Sequence, residues 1–150
     1  MATTAADPVL IDTNLLIYLN WVGSPFHAAA RTKVLSLGAA GHPFWLSRQI
    51  VREYLAAMSR PGTMTPTPSM NTLLADAQRF LTGFRVAEDG PAVTAHLLSL
   101  LASVACAGKQ VYDANIVATM LAHGIPTLLT HNVADFARFA GYITVMPLVP

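Results

Sequence analysis

The chain has 150 residues, of which 53% are hydrophobic and 11% charged, and its formal net charge is +1 at pH 7. This length suits one compact domain, and so apolar a chain buries a sizeable core, which excludes intrinsic disorder. No apolar run reaches the roughly 18 residues that span a bilayer, and the start of the chain lacks the features of a secretory signal. We therefore expect a single cytoplasmic domain over residues 1–150, with a flexible N-terminus at 1–7 and no membrane contact.

Short apolar runs alternate with helical patterns along the chain. The runs predict strands at 9–11, 44–46, 84–87, 126–130 and 142–146. Ser24-Pro25, Ser47 and Ser69 are typical helix starts, and a further helix is predicted from Gly90-Pro91 to Gly108. The next helix is predicted from Asp113 to His123, ending at Gly124. Strands separated by helices of this length predict an α/β fold with a mostly parallel sheet, covered on both faces.

One segment interrupts this alternation. Residues 59–69 contain Pro61, Gly62, Pro66 and Pro68, which prevent a continuous helix and predict an exposed surface loop. The segment lies between two predicted helices. We interpret it as a surface loop or lid within one domain.

In parallel sheets, ligands bind beyond the carboxyl ends of the strands. Four of the eight acidic residues either follow a predicted strand or lie on a helix that such a sheet places near those ends. Asp12 ends the first strand, and Asp135 follows the strand that ends at Thr130. Asp113 is in line with the apolar stripe of its helix, and Glu53 adjoins a similar stripe. Four carboxylates in one cleft would repel each other and take up protons unless a divalent cation neutralised them. Oxygen ligands of this kind suit Mg²⁺ or Mn²⁺.

Each acid also has a simpler structural explanation. Asp12 and Asp113 are suitable N-caps for the helices that follow them. Asp135 is a suitable cap for a short helix at 136–139. Glu53 is an ordinary solvated helix residue when it is considered alone. The pattern of all four favours a common site, although no single position decides between the two explanations.

Four segments resemble the signature blocks of PIN-domain ribonucleases and, more narrowly, of the VapC toxins of bacterial type II toxin–antitoxin systems. These blocks are Val9-Leu10-Ile11-Asp12-Thr13-Asn14, Ser47 to Leu55, Tyr112-Asp113-Ala114-Asn115-Ile116-Val117-Ala118, and Leu128 to Phe136. They occur in the family's order and spacing over nearly the whole chain. The resemblance implies a three-layer α/β/α fold and an endoribonuclease that uses Mg²⁺ or Mn²⁺ to cleave RNA, often tRNA or rRNA. It also implies neutralisation by a cognate VapB antitoxin, and a homodimer.

The resemblance assigns roles to individual residues by their position in the blocks. It implies an acidic triad of Asp12, Glu53 and Asp113, with Asp135 as a fourth acid. The supporting polar residues that it implies are Asn14, Thr130 and Asn132. In many relatives the position of Asn132 is itself an acid. The sequence therefore leaves open whether Asp135 or Asn132 contacts the metal, and whether one or two ions bind.

Substrate phosphates need cationic partners, because the carboxylates repel them. Arg48, Arg52 and Arg138 lie near the blocks and are candidates for that role, with solvated helix faces as the alternative. A phosphatase of the haloacid dehalogenase type needs a second Asp where this chain has Asn14, which argues against that class. The remaining alternative is a non-catalytic PIN-like scaffold that binds RNA or protein.

Overall fold

A computed structural model describes residues 4–150 of the protein, so residues 1–3 of the predicted flexible N-terminus lie outside the described part. The five strands are β1 (Val9–Ile11), β2 (Phe44–Ser47), β3 (Arg85–Ala87), β4 (Thr127–Thr130) and β5 (Thr144–Pro147). They form one sheet in the order β3-β2-β1-β4-β5. All four strand pairings are parallel, which confirms the predicted parallel sheet.

Helices cover both faces of the sheet, which confirms the three-layer α/β/α arrangement. They are α1 (Thr13–Asn20), α2 (His27–Ala39), α3 (Arg48–Ser59), α4 (Met70–Gly83), α5 (Pro91–Ser103), α6 (Gln110–His123) and the short α7 (Val133–Phe136), which a 3-10 turn (Ala137–Phe139) follows. None of the helices within residues 4–150 combines the length and the apolar character that crossing a membrane requires.

The middle strand determines where polar groups can gather. All three residues of β1 are at most 1% exposed, because β2 and β4 flank the strand and helices cover it. A strand buried on both faces must be apolar along its whole length, as Val9-Leu10-Ile11 is. Asp12 follows at once, and its backbone N–H still donates to the carbonyl of Leu129, 3.0 Å away. The chain thus delivers a carboxylate directly to the carboxyl end of the central strand.

Several predicted helix boundaries are confirmed. The hydroxyl of Ser47 accepts a hydrogen bond from the N–H of Ile50 at 3.2 Å, and the hydroxyl of Ser69 accepts one from the N–H of Thr72 at 3.2 Å. Gly124 ends α6 with a φ of 65°, the left-handed conformation that glycine adopts without a steric penalty. Proline occupies the first turn of α5 as predicted.

Three boundaries were predicted wrongly. Helix α2 begins at His27, because residues 24–26 form a turn in which the carbonyl of Ser24 accepts from the N–H of His27. Helix α5 ends at Ser103, five residues before Gly108. Helix α6 begins at Gln110 and not at Asp113. In each case the residue expected to mark the boundary lies in a turn or inside the helix, and not at the helix terminus.

Candidate active site

A cleft of about 200 Å³ opens where β1 and β4 end. The structure brings all four acids singled out from the sequence to this cleft, each from a different segment. The residues that line it are Asp12, Thr13, Asn14, Ile17, Glu53, Asp113, Ile116, Asn132, Asp135 and Phe136. Because β1 and β4 are adjacent and parallel, their carboxyl ends lie at the same edge of the sheet, while α3 and α6 supply the other two acids.

Asp12 is only 5% exposed and is held by three donors. Its Oδ1 accepts from the N–H of Thr13 at 2.8 Å, so Asp12 is the N-cap of α1, as its simpler structural explanation predicted. Its Oδ2 accepts from the hydroxyl of Thr130 at 2.7 Å and from Nδ2 of Asn14 at 3.1 Å. Burial raises the pKa of Asp12, and the hydrogen bonds from Thr130 and Thr13 oppose that rise. The capping role and a place in the cleft therefore coexist in one carboxylate.

Glu53 presents its carboxylate to the cleft from the side of α3. Oε2 accepts from the hydroxyl of Thr13 at 2.8 Å, and Oε1 accepts from Nε2 of Gln49 at 2.9 Å. Both oxygens thus have a neutral donor and keep lone pairs free for a further partner. The interpretation of Glu53 as an ordinary solvated helix residue is wrong, since its side chain bonds to both α1 and α3.

Asp113 lies in the first turn of α6, and Lys109 occupies the N-cap position, so the explanation of Asp113 as an N-cap is wrong. Burial, together with the charges of Asp135, Asp12 and Glu53, raises the pKa of Asp113 to about 6. The positive charge of Arg138 opposes this rise. Burial is the largest cause of the raised pKa, and the neighbouring carboxylates add their repulsion to it.

The three polar residues assigned by the resemblance form one network beside Asp12. Thr130 is fully buried and accepts from Nδ2 of Asn14 at 3.2 Å and from the N–H of Asn132 at 3.0 Å. Oδ1 of Asn14 in turn accepts from the N–H of His131 at 2.9 Å. The network fixes the turn after β4 relative to α1. Its effect is to hold Asp12 and the segment carrying Asp135 in one arrangement.

The sequence left open whether Asn132 or Asp135 is the fourth ligand, and both residues line the cleft. Asn132 is the residue before α7, and Asp135 is in the first turn of that helix. Because α7 begins at Val133, the explanation of Asp135 as the cap of a helix at 136–139 is wrong. Among the neighbouring charges, that of Asp135 raises the pKa of Asp113 the most.

The three candidate arginines lie in different surroundings. Arg48 forms an exposed ion pair with Glu88 at 2.7 Å. Arg52 lines a neighbouring groove of about 470 Å³, which shares Glu53 with the acidic cleft. Arg138 donates to the carbonyl of Ala105 at 2.9 Å and acts on the charge of Asp113. Arg52 and Arg138 are therefore near the acids, whereas Arg48 is engaged elsewhere.

Three residues of the site did not stand out in the sequence: Thr13, Gln49 and Asn115. Thr13 and Gln49 bond directly to Glu53, and Nδ2 of Asn115 donates to Oε1 of Gln49 at 2.8 Å. One sequence signal points to Gln49, because it precedes Glu53 by four residues and side chains at that spacing meet on a helix. Nothing in the sequence signals the link to Asn115, which depends on how α3 packs against α6.

The donor set of the cleft suits a hard divalent cation. Its charged side chains offer carboxylate oxygens, the ligand type that Mg²⁺ and Mn²⁺ prefer. After burial, the charges of Asp135, Asp12 and Glu53 also raise the pKa of Asp113, and a divalent cation would offset their repulsion. Within residues 4–150, however, no three Asp, Glu, His or Cys side chains form a ready cluster of close ligands. The cleft therefore has the donor chemistry of a cation site, without a preformed cluster of three such ligands among the described residues.

The chain belongs to the PIN-domain family, whose family model matches residues 9–142. A search of curated proteins finds no significant match.

Solved structures share the fold. The DNA-bound VapBC of Salmonella typhimurium has a TM-score of 0.70 at 16% identity, covering 95% of this chain and 99% of that chain. VapC20 of Mycobacterium tuberculosis, a Sarcin-Ricin loop cleaving toxin, has 0.64 at 20% identity, covering 93% and 99%. A toxin–antitoxin complex from Klebsiella pneumoniae has 0.65 at 21% identity, covering 93% and 97%.

Proposed function

We propose that this PIN-domain protein is a metal-dependent endoribonuclease and the toxin of a VapBC-type toxin–antitoxin system. The observation that carries the proposal is the convergence of Asp12, Glu53, Asp113 and Asp135 on one cleft. A module that only binds RNA has no use for four carboxylates that repel phosphate. Structural neighbours that are toxins of such systems, one of them an RNA-cleaving toxin, support the proposal.

Asp12 and Asp113 are the proposed direct ligands of Mg²⁺ or Mn²⁺, with Glu53 and Asp135 binding either directly or through water. Mg²⁺ usually keeps several of its waters and binds through one or two carboxylates, which is compatible with direct ligation by Asp12 and Asp113 alone. When bound, the cation lowers the pKa of a water and offsets charge on the phosphate oxygens.

The chain's own residues supply orientation. Thr130, Asn14 and the N–H of Thr13 hold Asp12 in one rotamer, so its one remaining lone pair, on Oδ1, keeps a constant direction. Thr13 and Gln49 do the same for Glu53. Fixed carboxylates require little reorganisation when charge develops on the phosphate. Attack by water, instead of by the ribose 2′-hydroxyl, leaves a 5′-phosphate and a 3′-hydroxyl.

Substrate contacts are proposed for the arginines closest to the acids. The charge of Arg138 lowers the pKa of Asp113, and Arg138 is the proposed contact for a phosphate beside the cleft. Arg52 lines the groove that shares Glu53 with the cleft. Arg48 would have to leave Glu88 before it could contact RNA. The proposed partners are RNA and a VapB-type antitoxin, in a cytoplasmic homodimer whose chain is one domain over residues 1–150.

Cleavage of total bacterial RNA by the purified, antitoxin-free protein tests the proposal. We expect discrete cuts with 5′-phosphate ends in Mg²⁺ or Mn²⁺ and none in EDTA. Asp12→Asn and Asp113→Asn should each reduce cleavage by at least about 100-fold, because each removes a charge that holds the cation. Asp89→Asn is the matched control, since Asp89 is an exposed acid that does not line the cleft.

The outcomes separate the alternatives. Cleavage that survives EDTA, or that survives both substitutions, would show that the acidic cleft is not the catalytic site. Binding of RNA with neither cleavage nor cation binding would favour the non-catalytic scaffold. Expression in a bacterial host tests the toxin role, and growth should stop with the wild-type protein but continue with Asp12→Asn.

A further inference from the structure

The side-chain amide of Gln49 is hydrogen-bonded on both ends. Its Nε2 donates to Oε1 of Glu53 and to the carbonyl of Tyr112, each at 2.9 Å. Its Oε1 accepts from Nδ2 of Asn115 at 2.8 Å. A glutamine amide has two N–H groups and one oxygen, so both donors and the oxygen of Gln49 have partners. Two of these partners belong to α6, while Gln49 and Glu53 belong to α3.

The partners allow only one orientation of this amide. The carboxylate of Glu53 and the carbonyl of Tyr112 accept hydrogen bonds and cannot donate them. Turning the amide over would place the oxygen of Gln49 against both acceptors and its NH₂ group against the NH₂ group of Asn115. The hydrogen-bond pattern therefore fixes the amide without any choice between its nitrogen and its oxygen.

This arrangement acts against a repulsion in the cleft. The charge of Glu53 is one of those that raise the pKa of Asp113, so the two carboxylates repel across the boundary between α3 and α6. Tyr112 immediately precedes Asp113, and the bond from Gln49 to its carbonyl ties the first turn of α6 to α3. Thr13 holds the other oxygen of Glu53.

We infer that Gln49 is a positioning residue of the acidic cleft, which orients the carboxylate of Glu53 and ties α3 to the start of α6 through Tyr112 and Asn115. It acts through Glu53. The inference rests on the proposed function only where it states that the cleft binds a divalent cation. The bonds themselves form in the protein without any cation.

A double-mutant cycle tests whether Gln49 acts through Glu53. The Mn²⁺ affinity is measured by calorimetry for the wild type, Gln49→Ala, Glu53→Ala and the double variant. We expect Gln49→Ala to weaken binding about 10-fold, the usual effect of losing a residue that orients a ligand. In the Glu53→Ala background the same change should have almost no effect. Equal losses in both backgrounds would overturn the inference.

Gln78→Ala is the matched control, because Gln78 is an exposed glutamine on α4 outside the cleft. It should leave Mn²⁺ affinity unchanged. The melting temperature of every variant is recorded, so that a folding defect is not mistaken for a loss of ligand orientation. If Gln49→Ala does not fold, Asn115→Ala replaces it in the cycle, since it removes the donor to the amide oxygen of Gln49 without changing either Gln49 or Glu53.

A metal-free measurement separates this inference from the proposed function. NMR of the side-chain amide protons should show Gln49 shifted from the position of a free amide and exchanging slowly, and Glu53→Ala should move its resonances. A free-amide position that ignores Glu53→Ala would overturn the inference, whether or not the protein binds Mn²⁺. The shifted signal in a protein that neither binds Mn²⁺ nor cuts RNA would refute the proposed function while supporting the positioning of Glu53.

Discussion

At the scale of single residues, Asp113 destabilises the protein while no cation is bound. Its pKa is about 6 in the folded protein against an ordinary value of 3.8, so the folded state binds the proton more tightly than the unfolded state. The contribution of Asp113 to the free energy of unfolding is therefore largest below about pH 4 and is lost as the pH rises to about 6. Above about pH 6 this contribution no longer changes, since Asp113 is ionised in both states.

Removing the charge of Asp113 should consequently stabilise the cation-free protein. In EDTA at about pH 7 we expect Asp113→Asn to unfold with a free energy about 1 kcal/mol higher than the wild type, a value reduced because solvent screens a partly exposed group. Below about pH 4 the difference should disappear. Urea unfolding at both pH values measures this, with Asp89→Asn as a control that shows no gain. A less stable variant at neutral pH would contradict it.

The residues of the site divide into those the sequence signals and those it does not. Asp12, Glu53, Asp113 and Asp135 were predictable because acids are rare in this chain and these four stand at strand ends or beside apolar stripes. For Gln49 the sequence signals only that its side chain can meet that of Glu53, four residues later on the same helix, and not what else its amide binds. Its role depends on the distance between α3 and α6, which packing determines and no local pattern records.

At the scale of elements, the helix that carries Glu53 depends on its cap. Ser47 is 3% exposed and ends β2, and its hydroxyl accepts from the N–H of Ile50 at the start of α3. Ser69 does the same at the start of α4 from an exposed position. The same capping chemistry thus occurs at a helix that holds part of the cleft and at one that holds none of the cleft-lining residues.

Removing either cap should cost about 1 kcal/mol of stability, since it leaves a backbone N–H at the helix start without its side-chain partner. Only Ser47→Ala should also weaken Mn²⁺ binding, by about 3-fold, because the first turns of α3 carry Gln49 and Glu53. Urea unfolding and calorimetry of Ser47→Ala and Ser69→Ala check both points. Equal Mn²⁺ affinities for the two variants would show that the α3 cap does not influence the cleft.

The elements themselves were more predictable than their ends. All five strands were located from short apolar runs, because a sheet covered on both faces requires such runs. The starts of α2 and α6 were missed, because Ser24 forms a turn through its backbone carbonyl and Asp113 faces the other acids instead of capping. A capping residue shows that a backbone group needs a partner, but tertiary contacts decide which group that is.

At the scale of the whole molecule, the proposed cation site links metal binding to folding. A ligand that binds only the folded state at about 100 times its Kd adds about 3 kcal/mol to the free energy of unfolding. For a chain of this length, Mn²⁺ should therefore raise the melting temperature by on the order of 5–10 °C. The rise should be lost in Asp12→Asn and kept in Asp89→Asn. Thermal unfolding with Mn²⁺ and with EDTA measures it, and an unchanged wild-type melting temperature would argue against a cation site.

The hydrogen bond from Thr130 to Asp12 joins residues 118 positions apart in the chain. The partner of Asp12 thus lies on β4, a strand synthesised long after β1, β2 and β3. During translation, a chain that has emerged only as far as α6 contains Asp12, Glu53 and Asp113 but lacks the strand that completes their edge of the sheet. The acidic cleft is therefore completed only after β4 has been synthesised.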